Sequence, residues 1–241
     1  MGLHLPGTSD SWREIAKDIL VVVIGVLLAL FAQQLVDRGE WRQKVGSARA
    51  AMRDELLSDD GPQIYQRAAM HPCVVARLDA IRAAVESGRG REQISRLIDV
   101  YWLPFRTYDS LALDAAMASD VASHMPQDEL QAFTAVYERM PSLDRTNAQE
   151  AADLARLQAF RRTGGAISDA EKDRLLGAVE ALRNDDRMMW TGAVTKLPQL
   201  RKLGPLDAGR VRGFMDAARL HYGTCIRELA PDFPTNLPNA L

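Results

Sequence analysis

The sequence predicts an all-α protein in which an N-terminal transmembrane helix continues into an irregular helical bundle. Three observations lead there. One uncharged apolar run stands near the N-terminus, apolar residues elsewhere recur at steps of three and four, and Gly, Pro and capping residues separate the segments. The chain has 241 residues, 47% hydrophobic and 26% charged, which excludes both a disordered chain and a polytopic membrane protein. Its 30 Lys and Arg against 32 Asp and Glu give a formal net charge of -2. Nucleic acid is therefore not an expected partner, because neutralising phosphates takes a basic excess.

Residues 1–18 read as a short polar tail and 19–36 as the span. From Ile19 to Val36 only Gln33 and Gln34 are polar. At about 1.5 Å per residue the run covers roughly 27 Å, against a bilayer core of about 30 Å. Trp12 suits the headgroup level and Lys17 can snorkel outward. The run is apolar all round, unlike an amphipathic core helix. It also lacks the basic flank of a signal peptide, and its best cleavage triplet, Leu30-Phe31-Ala32, begins with the wrong residue. The expectation is an uncleaved single-pass anchor with the lipid bilayer as its partner. Gly25 and Ala29 form a small-x-x-x-small pair, the candidate helix-dimer face for a homodimer, although such pairs also arise by chance.

Orientation is balanced between two arguments. Arg38, Arg42, Lys44, Arg49 and Arg53 follow the span, and the positive-inside rule would put the large domain in the cytoplasm. A single N-terminal anchor commonly follows a short cytoplasmic tail, and the cysteine usage fits an oxidising compartment. The expected location is a bacterial inner membrane, with a slight lean to a periplasmic domain.

Glu14-Ile15, then Asp18 through Leu30 (DILVVVIGVLLAL), Gln33-Gln34 and Trp41-Arg42 together resemble the opening of uncharacterised bacterial single-span proteins. Those are families of unknown function with an N-terminal anchor and a helical remainder. The resemblance covers roughly the first 45 residues. It implies a location, and it brings no catalytic or binding residues.

Residues 37–57 read as a helical stalk, with Trp41, Val45, Ala48, Met52 and Leu56 on one stripe. Ser58-Asp59-Asp60-Gly61-Pro62 is expected to end it. The helical domain occupies 58–230. Its first helix runs from about Gln63 to Ser87 with Val74, Leu78, Ile81 and Val85 on one face, and Pro72 should kink or split it. Gly88-Arg89-Gly90 closes it as a solvated turn; no strand precedes this run and no Gly-Lys-Ser follows, so a phosphate loop is excluded. Between Gln93 and Ser110 a short helix should lead into an extended, aromatic connection around Pro104, the one place where a strand is admissible. Leu111 to Ala118 is a short helix. Pro126 opens another carrying Leu130, Phe133, Tyr137 and Met140, and a further run extends from Pro141 to about Phe160. Ser168 and Glu171 form a capping box ahead of Leu175, Val179 and Leu182. Asn184-Asp185-Asp186 reads as a solvated face or a break, with helix continuing to about Lys196 before Pro198. The last helix, about Leu206 to Leu229, has Val211, Phe214, Ala218, His221 and Cys225 in register. Pro231, Pro234 and Pro238 make 231–241 an irregular tail.

Two cysteines exclude a disulfide-dense scaffold and a four-cysteine zinc site. Cys73 and Cys225 are the candidate disulfide. In the periplasm the bond is favoured and would close roughly 150 residues. In the cytoplasm two buried, reduced thiols are favoured. His71-Pro72-Cys73 is a poor nucleophile site, because residues two apart do not share a helix face. His4, His71, His124 and His221 occur singly, and His221 with Cys225 lacks further metal ligands. Glu150, Asp153 and Glu171 read as separate solvated acids. No catalytic, cofactor-binding or metal residues are expected, and no cofactor. Tyr101, Trp102, Phe105 and Tyr108 are either core or the lining of a pocket. The favoured function is a non-enzymatic, membrane-anchored interaction module that binds a protein partner. The alternative is a periplasmic sensory or small-ligand-binding bundle.

Overall fold

The computed structural model describes residues 10–162 and 165–229, side chains 10, 11, 13, 14 and 162 excepted; residues 1–9 of the polar tail and the 231–241 tail lie outside them. The described chain is all-α, without a strand at 100–110 or elsewhere among those residues. Its helices are α1 (Asp10–Asp54), α2 (Gly61–Glu86), α3 (Arg91–Asp99), α4 (Leu111–Ala118), α5 (Gln127–Tyr137), α6 (Met140–Ala159), α7 (Asp169–Leu203) and α8 (Ala208–Tyr222). A π-helical segment, Glu55–Asp60, joins α1 to α2, and short 3-10 turns occupy Val121–His124, Phe160–Arg162 and Gly223–Cys225.

The chain divides into two compact units at Ser47. The first consists of α1 up to that point. It contains an 18-residue window of mean hydropathy 2.7, none of it buried, which is long and apolar enough to cross a membrane. Gly25 and Ala29 lie on this helix, and a Cβ added at Gly25 would meet nothing within 4 Å.

The second unit holds the core. Met52 and Leu56, from the predicted stripe, are completely buried. The helix does not end at Ser58-Asp59-Asp60-Gly61-Pro62, however. A proline ring collides with the carbonyl four residues back in regular α-helix, and proline has no N–H to donate. Here the backbone widens just before Pro62, and the Gly61 N–H donates to the Leu56 carbonyl five residues back. Such π turns let a helix absorb a local obstruction and continue. Glycine is required at the exit: a Cβ at Gly61 would lie 2.5 Å from both the Leu56 carbonyl oxygen and Leu206 Cδ2.

Two further prolines fail to break helices. Pro72 lies on the exposed side of α2, which is unbroken, and α7 continues through Pro198 to Leu203. In both cases burial of the helix's apolar face outweighs the lost backbone bond. The main core forms where α2 packs against α7 and α8. Met70, Cys73, Val74, Leu78 and Ile81 of α2 meet Leu175, Val179 and Leu182 of α7, Met215 and Ala218 of α8, and Ile94 and Ile98 of α3. The capping box opens α7 as expected, with Glu171 N–H donating to Ser168 Oγ and Ser168 N–H donating to Glu171 Oε2. At the far end α8 is shorter than its periodicity suggests. It stops at Tyr222, where Gly223 takes φ 57°, a left-handed value that favours glycine. Cys225 therefore sits in a 3-10 turn and not in register on the helix.

Candidate functional site

The most unusual chemistry in the domain is a set of charges buried between α2, α6 and α7. Arg67 and His71 are one turn apart on α2; Asp186 and Trp190 are one turn apart on α7. Arg67, 1% exposed at its side chain, donates from Nη2 to Glu150 Oε1 at 2.6 Å and lies 3.7 Å from Asp186 Oδ1. The other Asp186 oxygen is 2.6 Å from His71 Nδ1, and the His71 ring stacks on Trp190 with centroids 4.6 Å apart. Burial opposes the Arg67 charge, yet Glu150 and Asp186 outweigh it and hold the guanidinium above its ordinary pKa. Burial pushes the Glu150 carboxyl up while Arg67 pulls it down.

Around this centre several polar atoms lack hydrogen-bond partners: Arg67 Nε and Nη1, Gln66 Oε1, and the Tyr101 and Tyr108 hydroxyls. Gln66 Nε2 donates to the Phe214 carbonyl, which ties α2 to α8. Arg67 is sealed from solvent, and its ion pairs tie α2 to α6 and α7.

Two expectations about acids need correction. Glu150 and Asp153 are not solvated; they are 1% and 2% exposed on α6. Nor is Asn184-Asp185-Asp186 a solvated face or a break, because α7 is continuous there and Asp185 and Asp186 point into the bundle. Glu171, the third of the acids, pairs with Arg91 at 2.9 Å. Asp185 is raised to about 7 by burial and by sharing a hydrogen bond with the Asp153 carboxyl. Asp153 is also held by Arg156 and by Gln149.

Asp60, in the π segment, is raised to about 8 by burial, with repulsion from Glu55, Asp59 and Asp109 adding to it. An unfolded aspartate titrates near pH 3.9, so the folded state holds the extra proton between about pH 4 and 8. Its stabilising contribution is complete below about pH 4 and is lost as pH rises through 8. Asp60→Asn, which stays neutral, is expected to be more stable than wild type at pH 9 by about 1–3 kcal/mol and close to it at pH 5. Urea unfolding at the two pH values measures this, and equal differences at both would refute it.

The four aromatic candidates do not form one site. Tyr101 and Tyr108 are core residues, 3% and 4% exposed, whereas Phe105 is 63% exposed. Trp102 stacks on His221 with centroids 4.3 Å apart, and its carbonyl accepts from the Tyr222 hydroxyl. A recess of about 120 Å³ lies beside Phe105, with Glu150 in its wall. A larger cavity, about 470 Å³, opens between α6 and α7. Sequence reasoning did not anticipate it.

Cys73 and Cys225 are joined as a disulfide with their Cα atoms 5.9 Å apart. This ties the middle of α2 to the turn after α8 and removes Cys73 from any role as a nucleophile beside His71. His221 is taken up by its stack on Trp102. Among the described residues no three His, Cys, Asp or Glu side chains gather in a way that would hold a metal ion. Set against known proteins, the chain matches no family model, no curated protein and no solved structure.

Proposed function

We propose that this chain is a single-pass protein of a bacterial inner membrane, with its helical domain on the periplasmic side, and that the domain works by binding a protein partner without catalysing a reaction. The observation that carries the compartment is the Cys73–Cys225 disulfide, since such bonds persist where the environment is oxidising. It outweighs the five basic residues after the span. The apolar window of α1 supports the anchor, as does the likeness of the first residues to single-span proteins. The non-enzymatic reading rests on how the reactive groups are used: the thiols are bonded to each other, and the buried carboxylates of Glu150, Asp153 and Asp185 are held by arginines or by one another.

A small-ligand-binding bundle is the second reading. Trp102, read as either core or pocket lining, stacks on His221; the α6–α7 cavity is what favours this alternative.

Protease treatment of intact spheroplasts, with a cytoplasmic control protein, tests the topology. The domain is expected to be cut, and its thiols to resist maleimide until a reductant is added. Protection combined with two reactive thiols would reverse the assignment. Cross-linking the full chain in its membrane is expected to yield a discrete adduct with a second polypeptide; recovery of monomer and self-adducts alone would remove the partner.

A further inference from the structure

We propose that the cavity between α6 and α7 binds an amphiphile with one alkyl chain and an anionic head, a free fatty acid being the simplest case. This goes beyond protein binding and does not depend on which side of the membrane the domain occupies. The volume, about 470 Å³, falls in the range of small-molecule sites, about 300–1,000 Å³. The walls are apolar: Ala159 and Phe160 on one side, Leu175, Ala178 and Ala181 of α7 on the other. Gly177 also lines the slot, and a Cβ there would meet nothing within 4 Å, so a larger side chain has room to enter it. Phe160 and Leu175 also belong to the main hydrophobic core, so an alkyl chain in the slot would extend that core.

The charges lining the cavity select the head group. Asp153 is engaged by Arg156 and Gln149, and Glu171 by Arg91 and Ser168. Arg174 spends its Nε on the Ala170 carbonyl at 3.1 Å and forms no ion pair among the described residues. Its guanidinium sits on the second turn of α7, close to the positive end of the helix dipole. The acids are thus already paired, and the positive charge that remains calls for a carboxylate. A cationic amphiphile would meet Arg174 with nothing to offset it.

The test uses the full chain in lipid nanodiscs with a diazirine-bearing analogue of hexadecanoate, irradiated and mapped by peptide mass spectrometry. Ile19 to Val36 takes up label from the bilayer in every variant and supplies an internal scale. Saturable labelling of peptides containing Phe160 and residues 175–181 is expected. Hexadecanoate should compete for it, and hexadecyltrimethylammonium should not. Arg174→Glu should lower the cavity signal about tenfold relative to the span, the loss expected when a charge-assisted hydrogen bond is removed. Gly177→Leu should abolish it by filling the slot. Ala181→Trp does the same from the other end, and circular dichroism checks that each variant is folded. Labelling confined to the span, or a cavity signal that ignores Arg174→Glu and yields equally to the cation, would overturn the proposal. Absence of label in the span itself would instead count against the membrane anchor.

Discussion

Arg67→Met is expected to destabilise the domain by about 3–5 kcal/mol at pH 8, the cost of leaving buried carboxylates without their counter-charge. Glu150 would lose its 2.6 Å partner, and Asp186 would keep only His71. The loss should shrink toward pH 5. Without the guanidinium, burial acts unopposed on the Glu150 carboxyl, which takes up a proton in the folded state more readily than in the unfolded chain, so stability then falls as pH rises. Arg67→Lys should recover only part of the stability, because an ammonium cannot reproduce the guanidinium fork. Adding Glu150→Gln and Asp186→Asn to Arg67→Met should recover most of it, since removing all the charges is far less costly than orphaning two. Urea unfolding followed by circular dichroism gives each value. A loss under about 1 kcal/mol for Arg67→Met would mean that the buried charges do not hold the three helices together.

Breaking the disulfide is the second large effect. Its partners are 152 residues apart, and chain-entropy arguments give about 5 kcal/mol for a loop that long, with measured values mostly about 2–5. Cys225→Ser is the clean variant, since Cys225 is exposed and a hydroxyl there remains solvated. Cys73→Ser should cost more, because it places a hydroxyl in a site 2% exposed among apolar side chains. For a domain of this size each kcal/mol is about 2–4 °C of Tm, so Cys225→Ser should melt roughly 5–15 °C lower. Adding dithiothreitol to the wild type should match that shift and leave the variant unmoved. A wild type indifferent to reductant would show that the bond constrains little.

Periodicity made much of the fold legible. The bounds of α4 and the capping box at Ser168 could be read directly, because local rules decide both. Prolines misled, since Pro72 and Pro198 were judged as isolated helix breakers while their effect depended on an exposed face and a buried stripe; Pro62 does stand in the first turn of α2, but a π turn carries the helix into it without a break. The buried charges were missed for a related reason. Arg67 lies seven residues before Val74 and so continues the Val74, Leu78, Ile81, Val85 stripe. Asp186 falls between Leu182 and Met189 on the apolar face of α7, and Glu150 between Leu143 and Leu157 on that of α6. A single charge on such a stripe reads as noise. Three on three helices, one basic and two acidic, form a complementary set, and that count was the available signal. Which helices meet was not in the sequence, so the α6–α7 cavity stayed hidden.

Between Cys73 and Cys225 the chain is a closed covalent ring. A protease that cuts once inside it opens the ring without releasing a fragment, so the N-terminal helix and the C-terminal end remain one molecule of nearly unchanged mass until the sulfurs are reduced. On a non-reducing gel a nicked domain therefore looks untouched. Only a cut outside the ring, or two within it, releases a fragment, and a ring opened once keeps its two new ends on one molecule through the sulfurs.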